Sequence, residues 1–246
     1  MTTNAAATVS ANDRPNALKR AAMWAFESVS RRGLVTTWKI AASAIEDSLF
    51  DRRFGTETSG VVDSDRLESI LENRTHAVRY KPTKARPFVR LLARLNLPDD
   101  ATFVDVGSGK GKVLLLAAQH PFKRVVGLEF SPSICAQARR NIDLFRRTGK
   151  LAAPIEIFEG DATQYAMAGD ENVFFLYNPF DAVILSQFVD NLRQSVRDHP
   201  RPIWFIYSVP LHASVLEQSG LFGAPATFDI QGNEFQVYRN VDLPGA

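Results

Sequence analysis

Val104 to Lys112 read VDVGSGKGK, an apolar run that breaks into glycines at Gly107, Gly109 and Gly111. Glycine lets the backbone turn tightly and lets a ligand approach where a Cβ would block it. In open α/β sheets ligands bind beyond the carboxyl ends of the strands, so this loop, with Ser108 inside it, is a candidate binding loop. The dinucleotide pattern G-x-G-x-x-G wants its third glycine at position 112, where this chain has Lys112. A long side chain there would crowd the close helix–strand packing of that fingerprint. Asp105, two residues before the first glycine, stands where a nicotinamide site usually has an apolar residue. Both features argue against hydride transfer on a nicotinamide.

Two further strand endings fit a nucleoside. Glu129 closes the run RVVGLE, where a carboxylate can accept hydrogen bonds from both ribose hydroxyls. Phe130 follows it and could pack on a purine face. Gly160-Asp161-Ala162 closes IEIFEGDA. There a carboxylate can accept from an adenine amino group while Ala162 leaves room for the ring. Acidic residues at strand ends are more often simply solvated. The order of the three sites, each at a strand's carboxyl end, favours the functional reading. A fourth ending, LYNPF from Leu176 to Phe180, is by itself either strand punctuation or the floor of a site.

The elements that must position these residues change character along the chain. Residues 1–15 read as a polar, disordered tail, and 16–98 as a helical cap. Its apolar faces are Leu18, Ala22, Phe26, Val29, then Trp38, Ala42, Ile45, Leu49, then a short helix DRLESILEN. Pro87 suits the first turn of a further helix faced by Phe88, Leu91, Leu92 and Leu95. From about residue 99 apolar strands alternate with helices: TFVDV, RVVGLE, IEIFE, VFFLYN and PIWFIYSVP. Ser131 and Asp181 stand as N-caps of two of the intervening helices. ATFDI and EFQVYRN flank the turn-like QGN and form a hairpin. The expectation is an α/β, Rossmann-like, seven-stranded and mostly parallel sheet, covered on both faces, with a C-terminal antiparallel hairpin and the N-terminal helical cap.

In this order, DVGSGKGK, GLEFSP, EGDAT and YNPF resemble the signature motifs of class I S-adenosylmethionine-dependent methyltransferases. The resemblance covers roughly the C-terminal three-fifths of the chain. It implies S-adenosyl-L-methionine as cofactor, with Gly107, Ser108, Gly109 and Gly111 beneath it and Asp105 near its methionine end. It gives Glu129 and Phe130 to the nucleoside and Asp161 with Ala162 to the adenine. A narrower likeness joins RYKPT, Arg79–Thr83, to the entry segment of non-SET protein lysine methyltransferases, and would turn Tyr80 toward the cofactor. Amino-group methyltransferases often carry [DNS]-P-P-[YFW] at the fourth strand. Asn178, Pro179 and Phe180 would then be the catalytic set, the Asn oxygen and Pro carbonyl accepting from the target nitrogen. The second Pro is missing here, which puts stacking on a nucleobase in doubt and leaves a flexible amine, such as a protein lysine, as the leading acceptor. A nucleic-acid base or a small molecule is the alternative. A nicotinamide oxidoreductase or a silent nucleoside-binding protein is less favoured.

The remaining features bound these readings. The formal charge of +2 is too small to indicate nucleic acid or an anionic membrane. The basic stripe RRNIDLFRRTGK reads as a solvated helix face. Cys135 alone admits no intrachain disulfide, and no His or Cys cluster has metal-ligand spacing, so no metal is expected. His212, after the fifth strand, is a weak candidate base. With no secretory signal and no run long enough for a membrane span, the expected location is cytoplasmic.

Overall fold

The structure is a computed structural model that describes residues 48–59 and 83–241, with Met23 and Ile45 as isolated positions. Tyr80, the helix expected over DRLESILEN and most of the two earlier helices lie outside the described residues. The chain divides into two compact units, Met1–Glu46 and Asp47–Ala246, and everything below concerns the second.

Residues 48–54 are helical. After α1 (Ala85–Leu92) the elements run β1 (Thr102–Val106), α2 (Lys112–Ala117), β2 (Arg124–Glu129), α3 (Pro132–Thr148), β3 (Ile155–Glu159), β4 (Glu171–Leu176), α4 (Ala182–Asp198), β5 (Trp204–Ser208), α5 (Ala213–Gln218), β6 (Ala226–Ile230) and β7 (Asn233–Arg239). They form one seven-stranded sheet in the order β3-β2-β1-β4-β5-β7-β6. The first five strands pair in parallel, and β7 runs antiparallel to both β5 and β6. The expected sheet and hairpin are therefore present. Ile230 pairs with Asn233 across a two-residue turn in which Gln231 and Gly232 have φ of 56° and 73°. Positive φ at both central residues matches the right-handed strand twist.

Strand side chains alternate between the two faces, and in β1, β2, β4 and β5 both faces are buried, which is why these strands read as largely apolar runs. Phe103, Val125, Phe175 and Ile206 pack on one face with Phe88 and Leu91 of α1, Leu114 of α2 and Phe145 of α3. Val104, Val106, Phe174, Phe205 and Tyr207 pack on the other with Leu185, Phe188 and Leu192 of α4 and Leu216 of α5. Each fully buried side chain of this size contributes roughly 1.5–3 kcal/mol. Asp105 interrupts the pattern: it shares the Phe103 face of β1 yet is a carboxylate only 3% exposed.

Asp181 caps α4 as expected, its Oδ1 accepting the N–H groups of Val183 (3.0 Å) and Ile184 (3.3 Å). Ser131 sits at the N-cap of α3 with Pro132 behind it, but its side chain makes no capping bond. Its Oγ lies 3.1 Å from Ser133 Oγ, and its N–H donates to Glu129 Oε1. The turn is built to hold Glu129 instead.

Candidate active site

The carboxyl ends of β1, β2 and β4 meet where the sheet order reverses between β1 and β4, the place where open α/β sheets bind ligands. Gly107, Gly109 and Gly111 all take left-handed backbone, with φ of 78°, 53° and 83°. At Gly107 the restriction is also spatial, since a Cβ there would overlap the ring of Pro179, 2.9 Å from its Cγ. The N–H groups of Gly107 and Ser108 both donate to Leu128 O at 2.9 Å, tying the loop to β2. Gly109 N–H donates to Glu129 Oε2 at 2.9 Å, and Ser131 N–H to Oε1 at 3.0 Å. Each carboxylate oxygen so held keeps a further lone-pair site. Burial raises the Glu129 carboxyl, and the backbone bonds from Ser131, Gly109 and Phe130 only partly bring it back. Asp105 is raised well above its ordinary value by burial and then by the nearby charge of Glu129.

The third strand ending is more local. Gly160 N–H donates to Glu129 O at 2.9 Å. Asp161 caps a single 3-10 turn, Ala162–Gln164, its Oδ1 accepting from Thr163 N (2.8 Å) and Thr163 Oγ1 (2.7 Å). Ala162 is half-buried against the α4 face of the sheet, and Phe130 is half-buried beside Glu129.

The fourth strand ending seats on the first. Pro179 covers Gly107, and Asn178 just before it is 8% exposed with φ of 47°. Asn is among the few non-glycine residues that tolerate this region. Its Oδ1 accepts from the hydroxyl of Tyr207 on β5 at 2.8 Å, and the same phenol oxygen accepts the His212 N–H at 3.3 Å. Tyr207 is fully buried, which pushes its phenol up to about 12. Phe180 turns away and packs, partly buried, on the α4 face. The structure thus brings together Asp105, the glycine loop, Glu129, Phe130, Asn178 and Pro179. His212 enters this network through its backbone N–H.

A family model for a methyltransferase domain matches residues 103–199, from β1 to the end of α4. This segment belongs to the class I S-adenosylmethionine-dependent methyltransferase superfamily. The methyltransferase domain is similar in fold to a SAM-dependent methyltransferase from Aquifex aeolicus. The two are 12% identical at a TM-score of 0.50, over 63% of this chain and 90% of that one. In sequence it is similar to the trans-aconitate 2-methyltransferase of Variovorax paradoxus (strain S110), 42% identical over 65 residues, 26% of this chain and 25% of that protein. The enzyme of the same name from Streptomyces avermitilis is 44% identical over 64 residues, 25% of this chain and 24% of that protein. The chain spans about a quarter of the length of these relatives.

The domain's residues fit S-adenosylmethionine. Asp105 and Glu129 are two buried carboxylates in electrostatic contact, and among the described residues no hydrogen bond is donated to the Asp105 side chain. Two such groups repel each other and disfavour ionisation, and a cationic ligand offsets both costs. S-adenosylmethionine carries positive charge on its sulfonium and its amino group. Ser108 Oγ is buried against Gly127 and, among the described residues, has no hydrogen-bond partner. Glycine backbone with no Cβ lies between these groups.

The methyltransferase domain also rests on residues whose roles sequence reasoning did not assign. Asp51 gathers the GTETS loop: it accepts from Thr56 Oγ1 (2.7 Å), Thr58 N (2.9 Å), Thr58 Oγ1 (2.8 Å), Ser59 N (2.8 Å) and Ser59 Oγ. These bonds hold the Asp51 carboxyl below its usual range despite burial. Ser59 O in turn accepts from Lys110 Nζ at 3.1 Å. Asn141, 1% exposed on α3, bridges the same two segments by donating to Lys110 O (2.9 Å) and accepting from Glu57 N (2.8 Å). Phe54 lies 4.3 Å from the Phe145 ring, centroid to centroid. The available signal was an Asn on the apolar stripe between Ala138 and Phe145, since buried polar groups need partners.

The basic stripe of α3 is exposed. Arg139 pairs with Glu159 at 2.7 Å and Arg146 with Asp143 at 3.4 Å. Among the described residues no group of three or more His, Cys, Asp or Glu is placed to hold a metal, and no helix is long and apolar enough to cross a membrane.

Proposed function

We propose that the protein is an S-adenosylmethionine-dependent methyltransferase that methylates a small molecule bound against Asn178 and Pro179. The observation that carries this is the seating of Pro179 on Gly107, with the buried Asn178 amide beside it. On this reading the acceptor segment touches the cofactor loop directly. When bound, S-adenosylmethionine supplies a methyl group on a good leaving group, so the protein must mainly align the acceptor. Glu129 holds the ribose through the lone pairs its backbone bonds leave unused. Asp105 faces the cationic end, the glycine loop admits the chain between them, and Asp161 with Ala162 receives the adenine.

A protein lysine, the acceptor favoured by sequence alone, draws support from the lone pair that Asn178 Oδ1 retains. The trans-aconitate 2-methyltransferases similar to part of the domain support a small molecule instead, and we follow them. The test is calorimetry with S-adenosylhomocysteine, followed by label transfer from S-adenosylmethionine to a cell extract split into protein, nucleic-acid and small-molecule fractions. Label in the small-molecule fraction is the expected result, and label confined to protein would restore the lysine reading. Asn178→Ala should lower transfer by about 100-fold while leaving S-adenosylhomocysteine affinity within about threefold, because alignment rather than cofactor binding is lost.

A further inference from the structure

We infer that Tyr207 is a positioning residue that turns the N–H edge of the Asn178 amide toward the acceptor, so that the site takes a carboxylate oxygen rather than an amine. The inference rests on the proposal that Asn178 receives the acceptor, and it names that acceptor's chemistry.

β4 and β5 pair in parallel with Leu176 beside Tyr207. Asn178 lies two residues further along, so the phenol reaches diagonally up to it. The phenol oxygen receives the His212 N–H at 3.3 Å, and its single proton goes to Asn178 Oδ1 at 2.8 Å. Burial keeps that proton on the phenol throughout the physiological range. An amide carries oxygen on one branch and NH2 on the other. An oxygen drawn toward β5 therefore leaves two N–H donors turned away from β5. Among the described residues nothing accepts from Asn178 Nδ2, and it is absent from the buried polar atoms lacking a partner. Nδ2 therefore retains some exposure, which leaves its two N–H groups open to a ligand.

Open donors beside the acceptor select it by hydrogen-bond polarity. An ammonium or amine brings further N–H groups and meets donors. A carboxylate brings lone pairs only, and its bonds to N–H groups are charge-assisted. The transfer balances without a base. One carboxylate oxygen contributes the electron pair of the new O–C bond, and the electron pair of the broken S–C bond stays on sulfur. The negative charge of the carboxylate and the positive charge of the sulfonium cancel. No proton moves.

The test uses the full chain saturated with S-adenosylhomocysteine and titrated by calorimetry with trans-aconitate, benzoate and cadaverine. At least one carboxylate should bind and cadaverine should not. Asn178→Asp replaces donors by acceptors and should weaken the carboxylate about 10- to 100-fold; Asn178→Ser, should the first variant not fold, should act in the same direction. Tyr207→Phe lets the amide rotate and should raise KM for that carboxylate by about 3- to 10-fold, more than it lowers kcat. A role in packing alone would lower the unfolding midpoint and leave KM unchanged. Binding of cadaverine, undiminished carboxylate binding in the Asn178 variants, or binding of none of the three probes overturns the inference and leaves the methyl-transfer proposal standing. Failure to bind S-adenosylhomocysteine overturns the cofactor assignment instead.

Discussion

On the β1–β2 side of the site, the Glu129 carboxylate is fixed by backbone. Glu129 is held by the N–H groups of Gly109 and Ser131, and the loop that supplies Gly109 is itself bound to Leu128 O. On the β4–β5 side the decisive contact joins two side chains, Tyr207 and Asn178, separated by 29 positions in the chain. Backbone donors stand at fixed places whatever the neighbouring side chains are. A side-chain pair depends on both partners and on the strand register between them. The first side is therefore suited to a constant ligand such as a cofactor. The second, where we propose the acceptor binds, depends on a pair that one substitution can change.

Four substitutions sharpen or break this contrast. Glu129→Ala should weaken S-adenosylhomocysteine by about 2–4 kcal/mol in calorimetry, since the two charge-assisted bonds proposed to the ribose would be lost. Its unfolding midpoint should not fall in proportion, and unchanged affinity would leave the β1–β2 side without a cofactor role. Gly107→Ala should damage both sides together, because the new methyl meets left-handed backbone and the Pro179 ring at once. The expected loss is about 1–3 kcal/mol of stability in urea unfolding, with cofactor affinity and turnover falling in parallel. If only one of the two fell, the halves would not share this contact.

Asp51→Ala should cost about 1–2 kcal/mol, because the hydroxyl and N–H groups of Thr56, Thr58 and Ser59 lose a common acceptor. Trypsin should then cut faster at the exposed Arg52 and Arg53, and an unchanged cleavage rate would remove the loop from the cofactor side's support. The smallest effect is expected from Asp105→Asn, a gain of about 0.5–2 kcal/mol in the ligand-free protein at neutral pH. The Asp105 carboxyl is raised in the folded state, so the folded protein holds its proton more tightly than the unfolded chain does. Its contribution to stability is complete below the ordinary value of 3.8 and is lost as pH rises through the folded value. The variant's advantage should accordingly vanish in acid. An equal advantage at all pH values would mean that packing, not charge, is relieved. The same variant should bind S-adenosylmethionine more weakly, as a buried site tuned for a cation exchanges stability for function.

Much of the β1–β2 side was legible from sequence because its signals are local. Gly107, Gly109 and Gly111 mark backbone that other residues resist, Glu129 ends β2, and Asp161 follows β3 by two positions. The β4–β5 side was legible only as far as NPF. Tyr207 sits in an apolar strand where an aromatic reads as core, and it is core, except for one hydroxyl. The GTETS loop was equally opaque, because its partners Lys110 and Asn141 lie 51 and 84 positions away from the residues they meet. Ser131 shows the converse error: N-cap chemistry was correct in position, but its N–H serves Glu129 and its hydroxyl serves Ser133.

The sequence by itself determined the strands, the burial of the central ones on both faces and the order of the cofactor motifs, because period, turn residues and strand-end carboxylates act over a few neighbouring positions. Only the tertiary structure decided that Pro179 closes on Gly107, that Asp105 and Glu129 share one buried field, and that Asn178 turns its oxygen toward Tyr207. Those facts depend on strand register and on the packing of segments far apart in the chain, and no local pattern encodes the hydrogen-bond polarity that results.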